Sequence, residues 1–134
     1  MKKSLILMLV AALVIVGCST PKPAPKPILP KAPPDKRVAI SPALQNAIQV
    51  VKISGAREQG GYYGVHITLQ NTTQALVKIS YRMKWLDDTG AAVNLPSVSS
   101  NPWLLFPGEA SALSITSPTP LARDFNMEIF EAGP

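Results

Sequence analysis

From residue 43 onward, apolar and polar side chains alternate along the chain with the period of two that marks half-buried β-strands. In GYYGVHITLQN, Tyr63, Val65, Ile67 and Leu69 interleave with Gly64, His66, Thr68 and Gln70. ALVKISYRMKWLDD is sharper still: Val77, Ile79, Tyr81, Met83 and Trp85 take one face, and Lys78, Ser80, Arg82 and Lys84 the other. One face is therefore core and the other solvent. Asn71-Thr72-Thr73-Gln74 supplies the turn between these strands and Asp87-Asp88-Thr89-Gly90 the turn after them. Residues 47–54, AIQVVKIS, read as an earlier strand, in which Val50-Val51 breaks the alternation and predicts a bulge or burial on both faces. Residues 103–106, 110–116 (Leu113 and Ile115 inward) and 125–130 (Phe125, Met127 and Ile129 inward) complete the set, and Pro107-Gly108 separates the first two of these. Thr119 and Pro120 fit the N-cap and first position of one helical turn. Short strands at regular spacing predict an all-β fold, a small antiparallel β-sandwich of immunoglobulin-like type over residues 44–134.

The first 17 residues follow another plan. Lys2 and Lys3 precede an apolar run over residues 5–16, which ends in small residues. This is the layout of a secretory signal peptide, since a membrane-spanning helix needs roughly 20 apolar residues. Ile15-Val16-Gly17-Cys18 resembles the lipobox of bacterial lipoprotein precursors, in which the cysteine thiol is alkylated by a diacylglyceryl group before cleavage in front of it. Small Gly17 opens the bond to the peptidase, and Cys18 is the chain's only cysteine, so no disulfide competes for it. That resemblance implies a mature chain starting at Cys18 and held by acyl chains such as palmitate, where more than one chain makes the anchoring stable. Ser19 in place of an aspartate implies, by the same resemblance, delivery to the periplasmic side of the outer membrane.

Composition changes the picture chiefly between residues 18 and 43, the expected linker. Seven of the chain's 14 prolines (Pro21, Pro23, Pro25, Pro27, Pro30, Pro33 and Pro34) fall within residues 18–37. Such spacing excludes helix and favours polyproline II, giving a stiff tether with a reach of about 60 Å. The net charge of +5 is concentrated near the N-terminus: residues 18–37 hold Lys22, Lys26, Lys31, Lys36 and Arg37 against Asp35. Beyond residue 37, six basic residues face seven acidic ones, so the folded part is close to neutral. Nucleic-acid binding, which needs clustered cations against phosphates, is not expected.

Asn71, the run Tyr81-Arg82-Met83-Lys84-Trp85-Leu86-Asp87, Gly90, Trp103, Pro107-Gly108 and the segment SPTPLARDF over residues 117–125 resemble the YcfL family of enterobacterial lipoproteins, over about residues 45–131. That family is a domain of unknown function. The resemblance implies a lipid-anchored periplasmic β-sandwich tied to envelope or peptidoglycan assembly, because such genes often stand beside a lipoprotein activator of a penicillin-binding protein. It transfers no catalytic residue.

The residues themselves argue against enzyme chemistry. Nucleophilic catalysis needs a base beside the nucleophile, and the single histidine, His66, falls on a strand's outward face. Asp87 and Asp88 read as turn formers, while a glycan-cleaving pair of Asp87 and Glu109 would need the two carboxyls facing each other. Met83 and Met127 lie at core positions, so no metal or cofactor is expected. What remains is a non-enzymatic binding or scaffold module in the envelope, contacting a protein partner through a sheet edge or the loop of residues 97–103, with Trp103, Leu104 and Phe106 as the candidate anchor. The alternative is direct peptidoglycan or glycan binding, with Tyr62, Tyr63 and Trp103 stacking on sugars.

Overall fold

The computed structural model describes residues 17–18, 24–95 and 102–133; residues 1–16, expected as most of a signal peptide, Ser19 and the loop of residues 97–101 lie outside the described residues. Among the described residues seven strands form: β1 (Val38–Ile40), β2 (Ile48–Arg57), β3 (Tyr63–Asn71), β4 (Val77–Leu86), β5 (Trp103–Leu105), β6 (Ala110–Thr116) and β7 (Asp124–Glu131). They build two sheets, one of order β1-β7-β4-β5 and one of order β2-β3-β6. The expected β-sandwich is thus the fold observed. In immunoglobulin terms, β2, β3 and β6 occupy the places of strands A, B and E, and β7, β4 and β5 those of F, C and C′. The place of strand G beside F is taken by β1, which pairs with β7 in parallel, Val38 opposite Met127 and Ile40 opposite Ile129. Among the described residues no helix is long and apolar enough to cross a membrane.

Alternation explains the packing. Val65, Ile67 and Leu69 from β3 meet Ile79 and Trp85 from β4, Leu105 from β5, and Phe125, Met127 and Ile129 from β7, all buried. Lys78, Arg82 and Lys84 face solvent on the opposite side of β4. The irregularity at Val50-Val51 is a bulge: Val50 pairs with Leu69 and Lys52 with Thr68, which leaves Val51 outside the ladder. The β2–β3 hairpin turns on Gly60 and Gly61, whose φ values of 96° and 85° lie where a Cβ is strained. Residues 119–122 form a non-helical turn in place of the expected helical one. Thr119 Oγ1 accepts from the Leu121 N–H at 3.3 Å, the bond expected of an N-cap, but the turn stops at residue 121 and no helix follows; Ser117 Oγ donates to the Thr119 carbonyl at 2.9 Å and Arg123 Nη1 to the Ala122 carbonyl at 3.0 Å.

The largest departure from the sequence expectation lies in the proline and lysine tract. Its second half does not stand clear of the domain as a spacer but lies on it as a strap. The Lys26 side chain rests against Gly108. Gln70 donates to the Pro27 carbonyl at 2.9 Å and accepts from the Leu29 N–H at 2.8 Å, and the Ala32 N–H donates to the Val50 carbonyl at 2.7 Å, beside the bulge. The strap then crosses to the other sheet at Arg37, whose guanidinium bonds Asp35 at 2.8 Å and Asp124 at 3.2 Å and lies 4.6 Å from the centre of the Phe125 ring. The side-chain hydrogen bond from Arg37 holds the Asp35 carboxyl below its ordinary value against a smaller opposing effect of burial. The Arg37 carbonyl accepts from the Met127 N–H at 2.7 Å, and β1 begins at the next residue.

Candidate functional site

Gln70 is the residue that fixes the strap. Alternation directs it outward with His66 and Thr68, yet only 1% of its surface is exposed, because residues 27–29 cover it. Its amide is fully used. Nε2 donates to the Pro27 carbonyl at 2.9 Å and the Gly108 carbonyl at 3.2 Å, while Oε1 accepts from the Leu29 N–H at 2.8 Å and from Gln49 Nε2 at 3.1 Å. Gln49 Nε2 also donates to the Leu29 carbonyl at 2.7 Å. The strap thereby enters the sandwich at one end, beside the Phe106-Pro107-Gly108-Glu109 turn. Replacing Gln70 with alanine is expected to free residues 26–32 and cost about 1–2 kcal/mol, since solvent re-satisfies the released strap groups. Hydrogen exchange of the Leu29 and Ala32 amides would then accelerate while the β3 core amides stay protected.

The entry end, here the proximal end, carries the exposed apolar side chains Leu76, Leu104 and Phe106, of which Phe106 is 56% exposed. Val77 pairs with Leu105 and Lys78 with Leu104, so Leu104 and Lys78 share the outer face of the four-stranded sheet and Leu76 falls level with Phe106. Glu109 Oε2 accepts from the Phe106 N–H at 3.0 Å and closes the turn. Trp103 points the other way. It is half-buried against the core, and its indole Nε1 donates to Ser111 Oγ on β6 at 3.2 Å, tying the two sheets together.

The distal end holds the Glu58–Tyr62 hairpin, the Asp87 turn and residues 117–123. Asp87 Oδ1 accepts from Thr89 Oγ1 at 2.6 Å, the Thr89 N–H at 2.9 Å and the Ala91 N–H at 3.0 Å, which lowers the Asp87 pKa. Tyr62 and Leu121 are exposed here, and a shallow cleft of about 320 Å³ is lined by Asp87, Asp88, Val93, Asn94, Leu121 and Arg123. Tyr63, by contrast, turns inward with its ring centre 6.5 Å from that of Phe125. Ser111, the Trp103 partner, pairs with Leu69, six residues from Tyr63 along β3 and so about 20 Å away. Tyr62, Tyr63 and Trp103 therefore do not form one sugar-stacking platform. Asp87 and Glu109 likewise lie at opposite ends of the sandwich and do not face each other across a cleft.

One polar cluster escaped the sequence reading. On the outer face of the three-stranded sheet, His66 Nδ1 lies 2.8 Å from Ser114 Oγ, and Nε2 lies 3.6 Å from Glu58 Oε1. Cross-strand pairing of His66 with Ser114 brings the first two together. Glu58 folds over Gly64, where any Cβ would collide with its carboxylate, and Thr116 Oγ1 donates to its other oxygen at 3.3 Å. The order serine, histidine, carboxylate is that of a hydrolase, but His66 is 54% exposed and the cluster does not line the distal cleft. Charge stabilisation of a tetrahedral intermediate depends on a dry site with aimed donors; an open sheet face gives neither. Among the described residues no group of three or more His, Cys, Asp or Glu is placed to hold a metal ion. Cys18 is an exposed free thiol.

A small β-sandwich laced by an N-terminal strap, with exposed apolar side chains at both ends, is the class of protein that this architecture defines. The chain belongs to the family described as protein of unknown function DUF1425, which it matches over residues 35–131. Two solved structures are similar in fold. Cj0090 of Campylobacter jejuni, 19% identical, superposes with a TM-score of 0.66 over 73% of this chain and 100% of its own. A DUF1425 family member from Shewanella sp. pv-4, 20% identical, gives a TM-score of 0.56 over 65% of this chain and 80% of its own. No curated protein matches the chain.

Proposed function

We propose that this protein is a YcfL-like lipoprotein of the bacterial outer membrane, anchored on the periplasmic side through Cys18 and acting without chemistry of its own as a binding or scaffold module. Its partner is an envelope protein met at the distal end. The observation that carries this reading is the direction of the strap: it leads the chain from Cys18 to one end of the sandwich and leaves Tyr62, Leu121 and the Arg123 cleft at the other. Eight peptide steps separate Cys18 from Lys26 and span at most about 29 Å. The docked strap thus shortens the expected reach of the linker, and the distal end stands off from the lipid mainly by the length of the strands.

Two measurements test it. Labelled palmitate is expected to be incorporated by the natural chain and lost completely in Cys18→Ser, which would also leave the membrane fraction; retention of label in that variant would sink the lipoprotein reading. Photoreactive residues at positions 62 and 121 of the lipidated protein are expected to give one recurrent protein adduct in living cells. The cleft favours one other reading, direct glycan binding, because Asp88, Asn94 and Arg123 offer polar groups at the same end as exposed Tyr62. In that case the same positions would yield no protein adduct, and purified cell wall would sediment the protein.

A further inference from the structure

We propose that the proximal tip formed by Leu76, Leu104 and Phe106 rests on the bilayer surface, so that the domain is oriented on the membrane and not merely tethered to it. The inference rests on the acylation of Cys18 proposed above. Three observations on the structure point to lipid as the occupant.

The first is where the anchored chain ends. Lys26 packs against Gly108, two residues from Phe106, and at most about 29 Å of chain lies between Lys26 and the acylated cysteine. Strand β3 alone spans about 27 Å between the two ends of the sandwich. With the strap docked, the Phe106 tip is thus held near the bilayer, and the Tyr62 end meets it only if the whole domain is turned over against its tether.

The second is chemistry. Leu76, Leu104 and Phe106 are 44%, 43% and 56% exposed and lie on one outer face at the β5 edge, a set of apolar side chains suited to the boundary between headgroups and acyl chains. The third is charge. Lys78 stands beside Leu104 and Lys26 beside the turn, where cations are attracted to anionic headgroups. The carboxylate of Glu109 in the same turn is engaged by the Phe106 N–H.

The test uses a chain beginning at Cys18, which retains all seven strands and the whole strap, with the thiol coupled to a maleimide phospholipid. Chemical attachment supplies the anchor whether or not cells acylate the cysteine, so failure here is distinct from failure of the lipoprotein reading. The protein is bound to vesicles of phosphatidylethanolamine and phosphatidylglycerol with ordinary or brominated acyl chains. Fluorescence is read from Phe106→Trp, Leu104→Trp and Tyr62→Trp as the difference from the unsubstituted protein, each with its fold checked by circular dichroism. Brominated lipid is expected to quench the added tryptophan at 106 and at 104 by about twofold, as for side chains seated at the interface, and to leave that at 62 unchanged. Equal quenching at all three positions, or none at 104 and 106, would overturn the proposal; a protein adduct from position 106 in cells, with no quenching on vesicles, would assign the tip to a protein partner instead.

Discussion

Phe125→Ala is expected to destabilise the domain by about 3–5 kcal/mol, the range for emptying a fully buried aromatic site. Against a total stability of roughly 5–15 kcal/mol, this is about a fifth of the whole or more, and at the low end of that range it leaves a large unfolded population. The site is unusually connected for so small a core. Phe125 has no exposed surface, stands opposite Trp85 on β4 and contacts the Tyr63 ring. Arg37 covers its ring face from the strap, so the cavity would also loosen the point where the strap changes sheets. Phe125→Leu, which retains most of the volume, is expected to cost about 1–2 kcal/mol. Urea denaturation separates the two: a midpoint shift at constant slope fits a packing loss. A Phe125→Ala variant as stable as the natural protein would show that β7 is not a central element of the core.

Asn71→Ala is expected to be nearly as severe, at about 2–4 kcal/mol, for an unrelated reason. Asn71 is fully buried, and its amide is bonded on both sides. Nδ2 donates to the Ala75 carbonyl at 2.7 Å and the Leu105 carbonyl at 2.9 Å; Oδ1 accepts from Thr73 Oγ1 at 2.7 Å and the Thr73 N–H at 2.9 Å. One side chain therefore shapes the β3–β4 turn and links it to β5. Alanine would leave the buried Leu105 carbonyl without this donor. Asn71→Asp discriminates further, because the carboxylate cannot donate to either carbonyl. Burial would raise its pKa in the folded state above the unfolded value of about 4, so the variant should recover stability as the pH falls toward that value and the acid gains an O–H. Thermal unfolding at several pH values reads this directly, and a flat difference from the natural protein would exclude it.

Much of the sandwich was legible because alternation is a direct record of which face is buried. Val77, Ile79, Tyr81, Met83 and Trp85 line the inner side of β4 as their spacing demands, and the doubled valine marks the observed bulge. The strap was not legible. Alternate prolines describe local stiffness equally well for a free spacer and for a segment laid against a sheet, and the contacts that decide between them come from residues some 40 positions away, such as Gln70. Strand β1 has only three residues, too few to show a period. Gln70 itself obeyed the pattern in direction but not in exposure, since what covers an outward face is not written in the strand. The paired glutamines Gln49 and Gln70, uncharged on a face expected to meet water, are the one local trace of the buried strap. At the distal end, alternation correctly separates inward Tyr63 from exposed Tyr62, whereas the Arg123 cleft is assembled from two turns that no periodicity connects.

The parallel pairing of β1 with β7 has a temporal consequence. These are the first and last strands, with 87 positions between Arg37 and Asp124, and β7 is also the neighbour that β4 requires. A chain emerging N-terminus first can form the β2–β3 hairpin early, but the four-stranded sheet has no centre until its final strand arrives. Closure is thus a high-contact-order step, slow relative to hairpin formation. In the interval both β1 and β4 present open backbone edges, which makes the half-made domain a natural client for chaperones.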